Sequence, residues 1–344
     1  MTDNRKASLL LIYTGGTIGM KVNPEDGTLH PFDFSQILDE VPELGKFAYR
    51  LDSYSFTPII DSSDIEPAIW QELAVIIRDR YDDYDGFVVL HGTDTMAYSA
   101  SALSFMLENL AKPVIFTGSQ LPIGVPRTDG KENLISSVEI AASRDSDGHA
   151  RVPEVCIFFD NKLMRGNRTT KYSSDDFNAF SSPNLPPLAE AGITIRYNDR
   201  IIHRPPVWDS GLKINLKLDT RVGILKIHPG ITAEVVGDVL CGGSTRAVIL
   251  ETYGSGNAPS KSWFLDVVRE AAQEKILLNV TQCFSGTVNM GIYSNGKALQ
   301  DSGVISGRDL TTESALAKLF HLMGNCSDNK EVKRMMQENL RGEM

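Results

Sequence analysis

Short apolar runs rich in β-branched residues recur along the chain at Leu9 to Tyr13, Phe87 to Leu90, Val114 to Phe116, Val155 to Phe159, Val222 to Ile227, Ala247 to Leu250 and Ile276 to Val280. Runs this short that are apolar throughout predict strands buried on both faces. Between several of them the apolar spacing becomes helical. Met96, Ala100, Leu103, Leu107 and Leu110 follow one another at steps of four, three, four and three, which predicts a helix with one core-facing stripe. A helix capped by Ser260 is expected through Glu274, and a last one from about Thr312 to Met323. The tail from Lys330 to Met344 reads as a solvated helix end. Alternation of strand and helix predicts an α/β fold with a doubly wound, mainly parallel sheet.

The alternation breaks between about Ser181 and Asp219, where proline, arginine and aspartate crowd the chain. This predicts a large N-terminal catalytic α/β domain over 1–190, a linker over 191–218 and a smaller C-terminal α/β domain over 219–344. A length of 344 residues agrees with two domains. Apolar residues make up 42% and charged residues 23%, so the chain can bury a core and has no compositional mark of disorder. With 34 Lys+Arg against 44 Asp+Glu the net charge is -10, which argues against nucleic acid as a partner, because phosphate binding needs basic side chains. The four cysteines are widely spaced without a CxxC pair and read as reduced thiols. The apolar run at Leu9 is too short for a signal segment or a bilayer span, so a cytoplasmic protein without membrane association is expected.

Ligands in doubly wound sheets bind beyond the carboxyl ends of the strands. Three such ends carry polar turns here: Thr14-Gly-Gly-Thr-Ile-Gly19, His91-Gly-Thr-Asp-Thr95 and Thr117-Gly-Ser-Gln120. The glycine turn fits neither GxGxxG nor GxxxxGK[ST], so it does not read as a nucleotide loop. The grouping instead suggests acyl transfer, because a threonine nucleophile needs a base, a partner for that base and donors for an oxyanion. Lys171, closing Arg165-Gly-Asn-Arg-Thr-Thr-Lys, is a candidate base if a low-dielectric pocket lowers its proton affinity, although most lysines are solvated. No GxSxG or HExxH signature competes. Tyr253-Gly-Ser-Gly-Asn257 resembles a nucleophile elbow only superficially, and His91 reads as a turn-holding residue rather than a catalytic base.

The ordered set Thr14-Gly-Gly-Thr-Ile-Gly, His91-Gly-Thr-Asp-Thr-Met, Thr117-Gly-Ser-Gln, Gly166-Asn-Arg-Thr-Thr-Lys171, Ser182-Pro-Asn-Leu-Pro-Pro-Leu and Asn279-Val-Thr-Gln-Cys resembles the cytoplasmic type I bacterial L-asparaginases over nearly the whole chain. The resemblance implies hydrolysis of L-asparagine to L-aspartate and ammonia through a threonine-linked β-aspartyl enzyme. It makes Thr17 the nucleophile on a closing loop and leaves Thr14 structural. Thr93, Asp94 and Lys171 would handle protons and orient the attacking water, with Asp94 also holding the substrate's α-ammonium. The Asp61-Ser-Ser-Asp64 segment would bind the substrate's α-carboxylate and α-ammonium, with Ser62 as the carboxylate donor and Asp61 and Ser63 close by. Ser119 would place its backbone near the scissile amide. No metal or organic cofactor is implied. The family's homotetramer of intimate dimers would bring Asn257 from a neighbour's C-terminal domain to complete each site.

Two departures from the family stand out. Many relatives carry a tyrosine farther along the nucleophile loop, where this chain reads Glu25-Asp-Gly-Thr-Leu-His30. Some cytoplasmic members have a regulatory asparagine site using an arginine; Thr281 and Cys283 of that site are present here, but Glu251 stands at the arginine position. A carboxylate there repels the effector's α-carboxylate, so weak or absent activation is expected. Two other readings compete: an amidase on a larger substrate, like the archaeal tRNA-dependent amidotransferase subunit, and a non-catalytic amino-acid sensor. Asparagine and glutamine differ by one methylene, and no residue reads out that distance.

Overall fold

The computed structural model describes residues 6–22, 29–31, 37–208 and 210–344. In chain order the first part holds β1 (Ser8–Tyr13), the hairpin β2 (Met20–Val22) and β3 (Leu29–Pro31), α1 (Ile37–Glu40), β4 (Arg50–Ser55), α2 (Pro67–Asp79) and β5 (Gly86–Leu90). There follow α3 (Met96–Met106), β6 (Leu107–Glu108), β7 (Val114–Thr117), α4 (Gly130–Ala142), β8 (Val155–Phe159) and β9 (Lys162–Arg165). Short strands complete it: β10 (Thr170–Lys171), β11 (Phe180–Ser181), β12 (Ala189–Glu190), β13 (Arg196–Tyr197) and β14 (Lys213–Ile214). The second part holds β15 (Val222–Lys226), α5 (Ala233–Cys241), β16 (Ala247–Thr252), α6 (Ser262–Glu274), β17 (Ile276–Thr281), α7 (Ser294–Asp301), β18 (Ile305–Ser306), α8 (Thr312–Asn325) and α9 (Asn329–Met336).

The chain divides into one compact unit up to Leu216 and another from Lys217 to Met344. In the first, eight strands lie in the order β13-β12-β9-β8-β7-β5-β1-β4. The strands from β4 to β8 run parallel, and β9, β12 and β13 extend the sheet antiparallel. The reversal from β8 to β9 is a two-residue turn in which Asp160 and Asn161 both have positive φ, at 46° and 63°, as a tight hairpin requires. Tyr13 pairs with Leu90, and Leu90 with Thr117, so β1, β5 and β7 end level and their polar turns emerge side by side. Leu9 to Tyr13 and Phe87 to Leu90 are almost wholly enclosed, as expected for strands covered on both faces.

Three sequence expectations need correction. Every α3 residue except Tyr98 is buried, so the helix is enclosed all round instead of presenting one stripe, and its Ala and Ser positions allow the close packing. It ends at Met106, and Leu107 opens a strand paired with Ile214. Helix α6 starts at Ser262 after Lys261, which makes no side-chain cap, so Ser260 does not cap it. The tail is only partly solvated: Arg334 and Glu338 are exposed, but Val332 and Met336 join the core, and the Glu343 carboxylate lies 2.6 Å from Lys318 Nζ with both side chains fully enclosed. A charged composition concealed this packing because the two opposite charges neutralise each other inside.

The 191–218 stretch carries structure of its own. β13 closes one edge of the large sheet and β14 pairs with β6. The buried Arg165–Glu154 pair also holds it: Arg165 Nη2 donates to Ile201 O at 2.5 Å, and the His203 N–H to Glu154 Oε1 at 2.5 Å. In the second unit, β15-β16-β17-β18 form a parallel sheet. One core lies against α5 and α6 and another against α8 and α9. Among the described residues no helix is long and apolar enough to cross a membrane.

Candidate active site

The turn after β1 is anchored through its first threonine. Thr14 is buried, and both its N–H and its hydroxyl donate to Leu90 O at 3.0 Å, which gives it a structural place. Gly16 follows with φ 94°, and a Cβ there would meet the Gly92 backbone at 2.6 Å; only glycine allows this approach. Thr17 then opens a single helical turn, Thr17–Gly19, with its side chain half-buried. The Tyr13 ring lies directly against Gly19, and its hydroxyl donates to Gly16 O at 3.3 Å. Burial pushes the Tyr13 phenol well above its ordinary pKa, keeping it a neutral donor. Thr17 and Thr93 each follow one of the two abutting glycines.

The turn after β5 meets a lysine from far along the chain. Lys171 Nζ lies 2.8 Å from Thr93 Oγ1 and 2.6 Å from Asp94 Oδ1. Lys171 sits on β10, whose pairing with β11 sets it opposite Phe180. Its side chain is 15% exposed against 65% for Asp94, so the ammonium is sheltered while the carboxylate reaches solvent. Thr93 accepts from the ammonium, which leaves its own O–H proton free to donate elsewhere. Thr95 ties the same turn to the next segment by donating to Ser62 O at 2.7 Å. His91 is fully buried, with Nδ1 2.7 Å from Gly92 O and Nε2 2.9 Å from Ser99 Oγ. Burial lowers its pKa to about 4, with the Gly92 bond opposing.

In the 61–64 segment Asp61 caps the turn Ser62–Asp64, accepting from both the N–H and the hydroxyl of Ser63 at 2.9 Å. These bonds hold its carboxyl below the usual range. Asp61 and Ser63 are exposed and engage each other, whereas Ser62 is buried against Gly92: a Cβ there would lie 2.4 Å from Ser62 Oγ. Ser62 is therefore the member of the trio that meets the turn bearing Thr93 and Asp94. Ser119 is buried and donates its hydroxyl to Leu121 O at 2.6 Å.

Sequence reasoning missed the residues that shape that last loop. Asp129, at the head of α4, accepts from the N–H groups of Gln120 and Leu121 at 3.0 and 3.1 Å. Asn133 donates to Gly118 O at 3.0 Å and accepts from the Asp160 N–H at 3.2 Å. Burial raises the Asp129 pKa while the N–H bonds oppose it. The available signal was Asp129-Gly-Lys-Glu-Asn133, a polar residue pair four apart opening a helix after a ligand-facing turn. Gln120 in turn donates to Ser174 O and Asp176 O at 3.3 and 2.9 Å, beyond the Lys171 strand.

The remaining candidates lie in the second unit. Asn257 is half-buried in the turn after β16, where its N–H donates to Tyr253 O at 2.8 Å and its carbonyl accepts from the Tyr253 N–H at 2.9 Å. Glu251 Oε1 accepts from Thr312 Oγ1 at 2.8 Å, and Oε2 stands 3.8 Å from Lys226 Nζ. Thr281 donates to Gly254 O at 2.6 Å and accepts from the Cys283 N–H at 3.0 Å. Residues 25–28, in the segment where many relatives carry a tyrosine, lie outside the described residues. Among the described residues, no group of three or more His, Cys, Asp or Glu side chains is placed to hold a metal ion.

A doubly wound sheet whose strand ends gather two threonine turns, a carboxylate and a sheltered lysine defines the class, and the chain belongs to the asparaginase family. Residues 8–203 match the profile described as Asparaginase, N-terminal, and residues 221–336 match that of the Glutaminase/Asparaginase C-terminal domain. It is 46% identical to L-asparaginase 1 of Escherichia coli (strain K12), over 99% of this chain and 98% of that protein. Among solved structures it is similar to L-asparaginase I from Vibrio cholerae, with a TM-score of 0.89 at 44% identity and 99% coverage of both chains. The thermostable L-asparaginase from Thermococcus kodakarensis matches with a TM-score of 0.88 at 33% identity, covering 98% of this chain and 99% of that one.

Proposed function

We propose that the protein hydrolyses L-asparagine to L-aspartate and ammonia, with Thr17 as nucleophile. The observation that carries this reading is the 2.8 and 2.6 Å contact of Lys171 with Thr93 and Asp94, in a turn packed against the one that bears Thr17. Thr17 Oγ attacks the side-chain carboxamide carbon and a C–O bond forms. Its proton passes to the departing nitrogen, the C–N bond breaks and ammonia leaves a β-aspartyl ester. Water, oriented by Thr93 and deprotonated through the Thr93–Lys171–Asp94 group, then cleaves the ester, and the proton returns to Thr17. Asp94, largely open to solvent, receives the substrate's α-ammonium, and Ser62 its α-carboxylate. Backbone near Ser119 faces the scissile amide, and a donor to the developing oxyanion contributes on the order of 100- to 1000-fold in rate.

The preference for asparagine follows the names of the E. coli, Vibrio and Thermococcus relatives. The same family resemblance supports a cytoplasmic homotetramer in which Asn257 of a neighbouring copy completes each site, with no cofactor. Glu251 is already engaged by Thr312 and Lys226, and its charge opposes a second amino-acid carboxylate, so rates rise hyperbolically with asparagine.

Ammonia release from L-asparagine and L-glutamine by the protein and by Thr17→Ala tests the reading. Turnover of asparagine that disappears in the variant, with substrate still bound, supports it. Binding without ammonia release by the unaltered protein would favour an amino-acid sensor instead.

A further inference from the structure

Behind the catalytic turn lies a line of three buried side chains that the proposed reaction does not touch. Trp70, 5% exposed on α2, donates from Nε1 to Ser99 Oγ at 2.9 Å. Ser99, enclosed in the first turn of α3, stands 2.9 Å from His91 Nε2, and His91 Nδ1 is 2.7 Å from Gly92 O.

Elementary donor and acceptor rules fix the direction of every bond. A carbonyl oxygen only accepts, so Nδ1 must carry a proton toward Gly92 O. Full burial keeps the imidazole neutral, which leaves a lone pair on Nε2 and requires Ser99 to donate its O–H there. An indole N–H only donates, and the Ser99 oxygen has the lone pair to receive it. Both ends of the line thus demand the same arrangement, and all three donors point toward Gly92. The geometry gives that carbonyl a purpose. Gly92 has no side chain to hold it, while Gly16 and Ser62 crowd it from two sides. The orientation of its carbonyl sets the plane of the Gly92–Thr93 peptide, which in turn aims Thr93 and Asp94.

We propose that Trp70, Ser99 and His91 are positioning residues, a one-way hydrogen-bond relay that fixes the Gly92 carbonyl and so presents Thr93 and Asp94 to Lys171 and substrate. The inference rests on the catalytic reading of Thr93, Asp94 and Lys171 given above.

The test pairs kinetics with imidazole nitrogen NMR on full-length protein. In the unaltered protein His91 is expected as the Nδ1–H tautomer, with Nε2 unprotonated and hydrogen-bonded. Ser99→Ala removes the Nε2 donor; the spectrum should then show loss of that bond, and kcat/KM per folded site for asparagine should fall on the order of 10- to 100-fold, the effect of a small misplacement of reacting groups. Ser99→Thr, which keeps the hydroxyl, should restore both. Trp70→Phe should shift the Nε2 signal in the same sense with a smaller loss of rate, and serves if Ser99→Ala does not fold. A proton on Nε2 in the unaltered protein overturns the relay. So does full activity in a folded Ser99→Ala whose imidazole signal has changed, provided Thr93→Ala is inactive. Full activity in Thr93→Ala would instead bring down the catalytic reading, leaving the imidazole spectra to report on the hydrogen bonds alone.

Discussion

Lys171 reaches Thr93 and Asp94 across more than 70 residues of sequence, and nothing in the local pattern of either segment announces the meeting. The chemistry-bearing residues were legible because they follow buried strands, where the fold class says ligands bind. Their partnership came from the family resemblance, since a lysine on a short hairpin strand looks like any solvated lysine. Asp129 and Asn133 left only a weak trace, a polar pair four apart, because their work is to hold backbone groups that only the folded α4 brings near. Lys171→Met is expected to lower kcat by about 100- to 10,000-fold, the range for losing a positioned proton-transfer group, with the fold intact by circular dichroism. Ser62→Ala should chiefly raise KM for asparagine, roughly 10-fold for one hydrogen bond to a charged group, with a smaller change in kcat. The reverse pattern, kcat lost at constant KM, would remove Ser62 from carboxylate binding.

Elements that read clearly as strands did so because enclosure on both faces leaves almost no polar position within them; β5 has none and β1 only Ser8 at its start. The antiparallel strands β9, β12 and β13 were hidden, being short and set by a turn and an edge pairing rather than by pattern. The end of the chain was misread for another reason, since Lys318 and Glu343 are charged residues doing the packing of apolar ones. Burial lowers the Lys318 pKa and Glu343 opposes that shift. Glu343→Ala leaves an unpaired buried ammonium and should destabilise the C-terminal unit by about 3 to 5 kcal/mol in denaturant titration, whereas adding Lys318→Met should recover most of it. His91 makes a second prediction at this scale. Its pKa is held at about 4 in the fold against an ordinary 6.5, so the unfolded chain takes up the proton first as pH falls. The stability it contributes is complete above pH 6.5 and declines toward pH 4, by roughly 3 kcal/mol. Denaturation midpoints should show that decline in the unaltered protein and a shallower one in His91→Gln.

For the whole molecule, a break in alternation led the sequence to suggest domains over 1–190 and 219–344, and the described chain divides between Leu216 and Lys217. The stretch expected as a linker belongs largely with the first unit because Arg165 and Glu154 bind its backbone, a contact no composition shift reports. The proposed tetramer makes a prediction that a monomer could not satisfy. If Asn257 acts in a neighbour's site, Thr17→Ala and Asn257→Ala chains, each inactive alone, should regain part of their activity when unfolded together and reassembled. Absence of any regain in a mixed oligomer would confine Asn257 to a turn. Formation of a covalent bond at Thr17 is read by rapid-quench mass spectrometry of the protein mixed with L-asparagine, followed by peptide mapping. A transient β-aspartyl ester on Thr17 is expected, building up further in Lys171→Met relative to free product. An ester on Thr93, or asparagine turnover that continues unchanged in Thr17→Ala, would contradict it.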